Sequence, residues 1–253
     1  MQIKGKTIAV TGGGRGLGRA MALEFASRGA HLALIDLNAQ DLEETRGRCV
    51  AAGGEARTYL CNVTNEAQVV ATMDAIVRDF GTLDVLINNA GIVKDALLVK
   101  VKDGEVVGKM SLDQWNAVIG VNLTGVFLCG REAAERMVRQ GHGGVIVNIS
   151  SISKDGNAGQ TNYTAAKAGV AAMSTTWAKE LARFNIRVGA IAPGFCATDI
   201  LASMTPETLA KVTAPVPLKR LGEPSEIART AVFIVENDFF TGRTVQVDGG
   251  LRI

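Results

Sequence analysis

Thr7-Ile-Ala-Val-Thr-Gly-Gly-Gly-Arg-Gly-Leu-Gly18 is the stretch that decides the fold. Thr7 to Val10 is a short apolar run, as a buried parallel strand would be. A glycine loop follows, and an amphipathic pattern then predicts a helix to about Arg28. In that context glycines let a backbone approach a pyrophosphate. The helix N-terminus supplies free N–H groups and partial positive charge. Gly12, Gly16 and Gly18 are spaced G-x-x-x-G-x-G, one residue longer than the common dinucleotide fingerprint. Arg15 and Leu17 lie within the loop. The bland alternative is a plain strand-to-helix turn.

Next comes His31-Leu-Ala-Leu-Ile-Asp36, an apolar strand ending in an acid 18 residues beyond Gly18. That is close to the spacing of a carboxylate that bonds an adenosine ribose. Such a carboxylate accepts from both ribose hydroxyls and repels a 2′-phosphate. Asp36, followed by neutral Leu37, therefore favours NAD(H). Arg15 argues mildly the other way, so NADP(H) stays open.

The alternation continues through a helix over 39–52 and a strand from Arg57 to Cys61, followed by Asn62 and Val63. A helix from Asn65 to Phe80 has Thr64 as a candidate N-cap. A strand, Leu83 to Ile87, ends at Asn88-Asn89-Ala90-Gly91. Small polar residues past a strand's C-terminal end lie where open α/β sheets bind ligands; adenine-side and sheet-stabilising roles are both open here. Val99 to Val107 alternates about Asp103-Gly104, a hairpin signal, either a cleft wall or a surface ribbon. Ser111 reads as the N-cap of one long helix, Leu112 to about Arg139, with Asn122 amid apolar neighbours. A buried Asn must be paired, as a satisfied kink or as part of a proton relay.

Gly144 to Ile149 is a strand with Ser150 and Ser151 at its end. A helix from about Asn162 to Arg183 opens with Tyr163-Thr-Ala-Ala-Lys167. Residues i and i+4 share a helix face, and an ammonium beside a phenol lowers its pKa toward proton-transfer duty. Alone, that pair could equally be a solvated face. A strand from Ile186 to Ile191 meets Ala192-Pro193-Gly194-Phe195-Cys196-Ala197-Thr198. Residues 199–222 look like a long loop, which suggests a lid. A helix from Pro224 and a strand from Thr244 to Asp248 close the chain. Seven strands alternating with helices and no linker predict a single domain over residues 1–253. Its fold is then a Rossmann-type, doubly wound parallel α/β sheet.

Composition narrows the partners. With 253 residues, 47% hydrophobic and 21% charged, the chain reads as a globular enzyme able to bury a core. A net charge of +2 without a Lys/Arg block gives no reason to expect nucleic acid. No long uninterrupted apolar run or cleavable signal pattern is evident, so no membrane association and a cytoplasmic location are expected. Cys49, Cys61, Cys129 and Cys196 are too far apart for a metal motif, and two histidines offer neither a triad nor a zinc site.

In its ordered set of glycine loop, Asp36, Asn-Asn-Ala-Gly, Asn122, Ser150, Tyr163 and Lys167, the chain resembles the short-chain dehydrogenase/reductases over residues 6–250. Within that family it looks like the bacterial 3-oxoacyl-thioester reductases, through APGF, LKRLGEPSEIA and VDGG. The resemblance implies an oxidoreductase acting on a secondary alcohol or ketone, or an acyl thioester, usually as a homotetramer. Tyr163 would be the proton donor, and Lys167 would lower its pKa and bond the nicotinamide ribose. Ser150, 13 residues before Tyr163, would bond the substrate oxygen. Asn122 would hold a relay water. Gly12, Gly16, Gly18 and Asp36 would hold the adenosine diphosphate end, and Asn62 and Val63 would flank adenine. Asn88, Asn89, Ala90 and Gly91 would lie along the cofactor, and Pro193, Gly194 and Thr198 near the nicotinamide.

Three departures stand out. Asn62 replaces an acid common on the adenine side, although its oxygen could still accept from the adenine amine. The hairpin is long. The two arginines thought to dock a carrier protein are Gly141 and Phe184 here, with Arg139 and Arg183 nearby.

Overall fold

The computed structural model describes residues 1–198 and 205–252. Its main sheet comprises β1 (Thr7–Thr11), β2 (His31–Asp36), β3 (Glu55–Leu60), β4 (Val85–Asn88), β7 (Gly144–Ile149), β8 (Ile186–Pro193) and β9 (Thr244–Val247). The spatial order is β3-β2-β1-β4-β7-β8-β9, with every pairing parallel. The chain builds β2 and β3 on one side of β1 and then crosses to β4 on the other. The reversal opens a crevice beyond the C-terminal ends of β1 and β4, where such sheets take ligands.

Both sheet faces are covered, which is why the strands read as continuous apolar runs. Ile8, Val10, Leu32, Leu34, Val145 and Val147 face α1 (Gly16–Ala26), α2 (Ala39–Ala51) and α8 (Pro224–Glu236). Their neighbours Ala9, Ala33, Ile35, Ile146 and Val188 face α3 (Glu66–Phe80), α5 (Val126–Gln140) and α6 (Thr161–Leu181). Each fully buried Val, Leu or Ile stabilises by about 1.5–3 kcal/mol. The two core layers, more than helix propensity, therefore hold the architecture.

Three local expectations change. The long helix from Leu112 is broken into α4 (Leu112–Ile119), a π-helical turn (Gly120–Gly125) and α5. This run is long and apolar enough by composition to cross a membrane, but half of its most apolar window is buried inside the fold. Thr64 is not the cap of α3: Asn65 is, its side chain accepting from the Gln68 N–H. Ser111 does cap α4, reciprocally with Gln114. The presumed loop after Thr198 contains α7 (Pro206–Thr213), capped by Thr205. The part of the lid expectation that falls on 199–204 lies outside the described residues.

The hairpin is present as β5 (Val99–Lys102) and β6 (Glu105–Lys109). Asp103 and Gly104 both take positive φ, 52° and 83°, as a two-residue primed turn requires. Val99, Val101, Val106 and Val107 are all exposed. The hairpin is therefore a surface ribbon and not a cleft wall.

Candidate active site

The glycine loop is laced to the end of β4. Thr11 Oγ1 accepts from the N–H groups of Asn89 (2.9 Å) and Ala90 (3.0 Å). Asn89 Nδ2 donates to the carbonyls of Thr11 (3.0 Å) and Gly12 (3.1 Å). A Cβ on Gly12 (φ 63°) would lie 2.9 Å from Ala90 Cα, and one on Gly18 would lie 2.0 Å from the Gly12 carbonyl. No other residue fits at Gly18 without displacing the loop. The helices α2, α3 and α4 each begin with a side-chain cap, whereas α1 has none at Arg15. Its first N–H groups, with the helix dipole behind them, are free to meet an anionic group. The loop therefore fits a dinucleotide pyrophosphate.

Asp36 stands beside this loop. Its Oδ2 accepts from Gly14 N–H (3.0 Å) and its Oδ1 from Leu37 N–H (2.7 Å). Oδ1 also accepts from Asn38 N–H (3.3 Å); a carboxylate has about four acceptor positions, so capacity remains for a ribose hydroxyl. Gly14 is wedged between two acids: a Cβ there would meet Asp36 Oδ2 at 3.0 Å and Asp41 Cβ at 2.9 Å. Arg15 and Leu37 are exposed. The next cation, Arg19, is occupied by the Gly14 carbonyl (2.7 Å) and Glu44 (3.1 Å).

Not every expected side chain faces the crevice. Asn88 is buried and donates to Asn148 Oδ1 (2.9 Å), which donates in turn to Ser174 Oγ (2.9 Å). Of its two open roles, stabilising the sheet is the one its hydrogen bonds serve. Asn148 and Ser174 had no motif to announce them. Val63 packs on Gly125 of the π-helical turn, and Gly91 packs on Asn122. Asn122 is fully buried, with Oδ1 accepting from Ile92 N–H (2.8 Å) and Nδ2 donating to the Ile92 carbonyl (2.9 Å). The side chain is thus satisfied at both ends, and a relay water is left only the main chain of this irregular turn.

At the end of β7 the two serines part company. The Ser150 hydroxyl donates to the main-chain carbonyl of Lys167 (2.8 Å). Ser151, whose Oγ accepts from Ser153 N–H (3.1 Å), is the serine that pulls the Tyr163 phenol down. Both Ser150, the residue singled out by the 13-residue spacing, and Ser151 border the cleft.

Tyr163 and Lys167 come together as the i, i+4 spacing predicts, with Nζ 5.6 Å from the ring centre. The electrostatics differ from expectation. Burial pushes the Tyr163 phenol up and outweighs the Ser151 hydrogen bond, which pulls it down; Asp95 adds a further upward push. The buried Lys167 ammonium is itself pushed down to about 8 by desolvation and donates to the Ile149 carbonyl (2.7 Å). Ser150, Ser151, Tyr163, Leu17, Pro193, Gly194 and Thr198 line one open cleft of about 280 Å³, with Val93 and Phe195 as apolar walls. Asn157 and Gln160 form its polar rim. Gln160 accepts from Asn157 (3.0 Å) and donates to Asp95 (2.9 Å).

Of the other groups considered, Cys196 also borders the cleft, and the rest make contacts of their own. His142 contacts Thr82, and His31 neighbours Glu55. The four cysteines are buried free thiols raised by desolvation, Cys129 to about 12. Arg139 pairs with Glu135, and Arg183 stacks over Phe184. Arg139 lies in the last turn of α5 and Arg183 just beyond α6, whereas Tyr163 lies in the first turn of α6.

Comparison with known proteins agrees with this geometry. The family described as "Enoyl-(Acyl carrier protein) reductase" matches residues 12–252. The 3-oxoacyl-[acyl-carrier-protein] reductase FabG of Thermotoga maritima is 40% identical over 256 residues, covering all of both chains. The chain belongs to the short-chain dehydrogenase/reductase family. Short-chain reductase protein NovJ of Streptomyces niveus is 39% identical, covering 95% of this chain and 92% of its own. A short-chain type dehydrogenase/reductase from Mycobacterium marinum superposes with a TM-score of 0.89 at 30% identity, covering 98% and 96% of the two chains. As a short-chain dehydrogenase/reductase, the chain is an oxidoreductase working between alcohol and ketone with a nicotinamide cofactor.

Proposed function

We propose that this short-chain dehydrogenase/reductase is NAD(H)-dependent and interconverts a ketone and a secondary alcohol, with 3-oxoacyl and 3-hydroxyacyl thioesters as the substrate class. The observation that carries the reading is the meeting of Tyr163, Ser151 and Lys167 at one cleft beside the glycine loop. Bound there, the nicotinamide ring supplies a hydride in reduction and accepts one in oxidation.

The chain's own residues supply position and a proton. Tyr163 gives its phenolic proton to the carbonyl oxygen in reduction and takes it back in oxidation. Ser151 donates a hydrogen bond to the same oxygen as negative charge develops. Lys167, held by Ile149, keeps positive charge behind the phenol at neutral pH. Burial keeps Tyr163 protonated, the form that ketone reduction needs. Gly12, Gly16, Gly18 and the α1 N-terminus hold the pyrophosphate, and Asp36 the ribose. Asn89, Ala90 and Gly91 shape the loop, while Pro193, Gly194 and Thr198 wall the nicotinamide end.

NAD(H) preference is supported by Asp36 and Asp41, which bracket Gly14 and oppose a 2′-phosphate. A second reading is an NADPH-dependent 3-oxoacyl-[acyl-carrier-protein] reductase. Exposed Arg15 and the name of the Thermotoga maritima relative favour it. The chain is further proposed to act in the cytoplasm as a homotetramer. Support from its small helical residues is limited, since Ala133 is buried within the subunit and Gly130 packs under Trp177. The deciding experiment offers ketones, 3-oxoacyl-CoA and carrier-protein thioesters with NADH and NADPH in parallel, with light scattering for assembly. Turnover of 3-oxoacyl-CoA with NADH is expected. Turnover only of carrier-protein thioesters with NADPH would select the second reading, and no turnover of any would overturn both.

A further inference from the structure

Asn62 follows Cys61, whose N–H is held by the main-chain carbonyl of Asp36 (3.1 Å). The carboxylate facing the ribose and the Asn62 amide thus stand at adjoining strand ends. A purine carried by a ribose bound at Asp36 would meet residue 62 if it extended over the adjoining end of β3. Asn62 is half-buried, and its Oδ1 already accepts twice, from Thr64 N–H (3.0 Å) and Thr64 Oγ1 (2.9 Å). A carbonyl oxygen has two lone pairs, so both are occupied. The same contacts set the amide's orientation, because a flipped amide would turn its NH₂ against the Thr64 N–H. Asn62 Nδ2 makes no hydrogen bond among the described residues, nor is it sealed from solvent without a partner.

We infer that residue 62 meets the purine 6-position of the cofactor as a hydrogen-bond donor, where a carboxylate would meet it as an acceptor. This rests on the dinucleotide site proposed above, and it reverses the expectation that the Asn62 oxygen serves the adenine amine. A donor opposes the 6-amino group of adenine and suits a 6-oxo group. This chain therefore discriminates less against a 6-oxopurine than an otherwise identical chain with an acid at position 62.

The test is a two-by-two binding cycle, read by calorimetry without turnover. NAD⁺ and nicotinamide hypoxanthine dinucleotide are titrated into the wild-type protein and into Asn62→Asp. An aspartate can still accept from Thr64, so the turn survives, and matching melting temperatures check this. The cycle isolates residue 62 from every other contact to the base. The ratio of the hypoxanthine to the adenine dissociation constant is expected to rise about tenfold in Asn62→Asp, the worth of one charge-assisted bond gained. A rise below threefold, or a fall, would overturn the inference. Failure of both ligands to bind both proteins would overturn the dinucleotide reading itself, and this inference with it.

Discussion

Ser150 holds Lys167 by its backbone, not its side chain: the hydroxyl reaches from the end of β7 to a main-chain carbonyl inside α6 at 2.8 Å. Ser151 is extended, with φ −165° and ψ 157°. Consecutive side chains in extended backbone point to opposite sides. One serine therefore anchors the catalytic helix while the next pulls the phenol's pKa down. Ser151→Ala is expected to lower kcat by about 10²–10³ with little change in cofactor binding, as for loss of an oxyanion donor. Ser150→Ala is expected to keep most activity and lose about 1 kcal/mol of stability. Steady-state kinetics and urea unfolding of both variants decide it, and the reverse pattern would return the catalytic role to Ser150.

Tyr163→Phe removes the proton donor and nothing that a dinucleotide needs. Turnover is expected to fall by at least about 10²–10⁴, while NADH titration by fluorescence gives an unchanged dissociation constant. Near-wild-type turnover would remove Tyr163 from the chemistry.

Asp36→Ala removes the carboxylate nearest the ribose position while leaving Arg15 in place. Its kcat/KM for NADPH relative to NADH is expected to rise about tenfold or more, since about 1.4 kcal/mol of relieved repulsion is a factor of ten. A wild-type enzyme that already prefers NADPH would contradict the argument from Asp36.

Lys167 offers a pH signature. Its pKa falls from an ordinary 10.5 to about 8 on burial. Between those values the unfolded chain binds the proton and the folded chain does not. The Lys167 contribution to stability therefore rises as pH climbs through that window, and is least favourable below about 8. Lys167→Met lacks this term. Its stability advantage over wild type is expected to be largest near pH 7 and to shrink toward pH 10, as read by urea unfolding at each pH. An advantage that grows with pH would mean Lys167 is not desolvated in the free enzyme.

The ribbon can be tested by removal. The Met110 N–H bonds the Leu97 carbonyl (3.1 Å), so the ends of the excursion already meet. Replacing residues 99–109 by a Gly-Gly link is expected to leave the melting temperature and NADH affinity within error, because its valines are exposed and line no part of the cleft. A large loss of cofactor affinity would give the ribbon a role in the site.

Much of this was legible in the chain itself, for identifiable reasons. Alternation of apolar strands with amphipathic helices is a local pattern, and burial of both sheet faces enforces it along each strand. The glycine loop was readable because Gly12 and Gly18 sit where any Cβ would strike backbone. Tyr163 and Lys167 were readable because helical periodicity brings i and i+4 together wherever the helix lies. The hairpin turn was readable because Asp103-Gly104 suits two positive φ values.

What the sequence determined by itself, then, is the doubly wound sheet, the nucleotide loop and the Tyr–Lys pair, all set by short-range periodicity and steric demands. What the tertiary structure alone decided is which hydrogen bonds the small polar side chains make. Ser150 chose α6 and Ser151 the Ser153 N–H, Asn122 closed on Ile92, and Asn62 turned its oxygen to Thr64. A serine or asparagine can satisfy itself in several directions at similar cost. Its choice depends on which partners the packed fold brings within about 3 Å, and residue spacing alone does not carry that information.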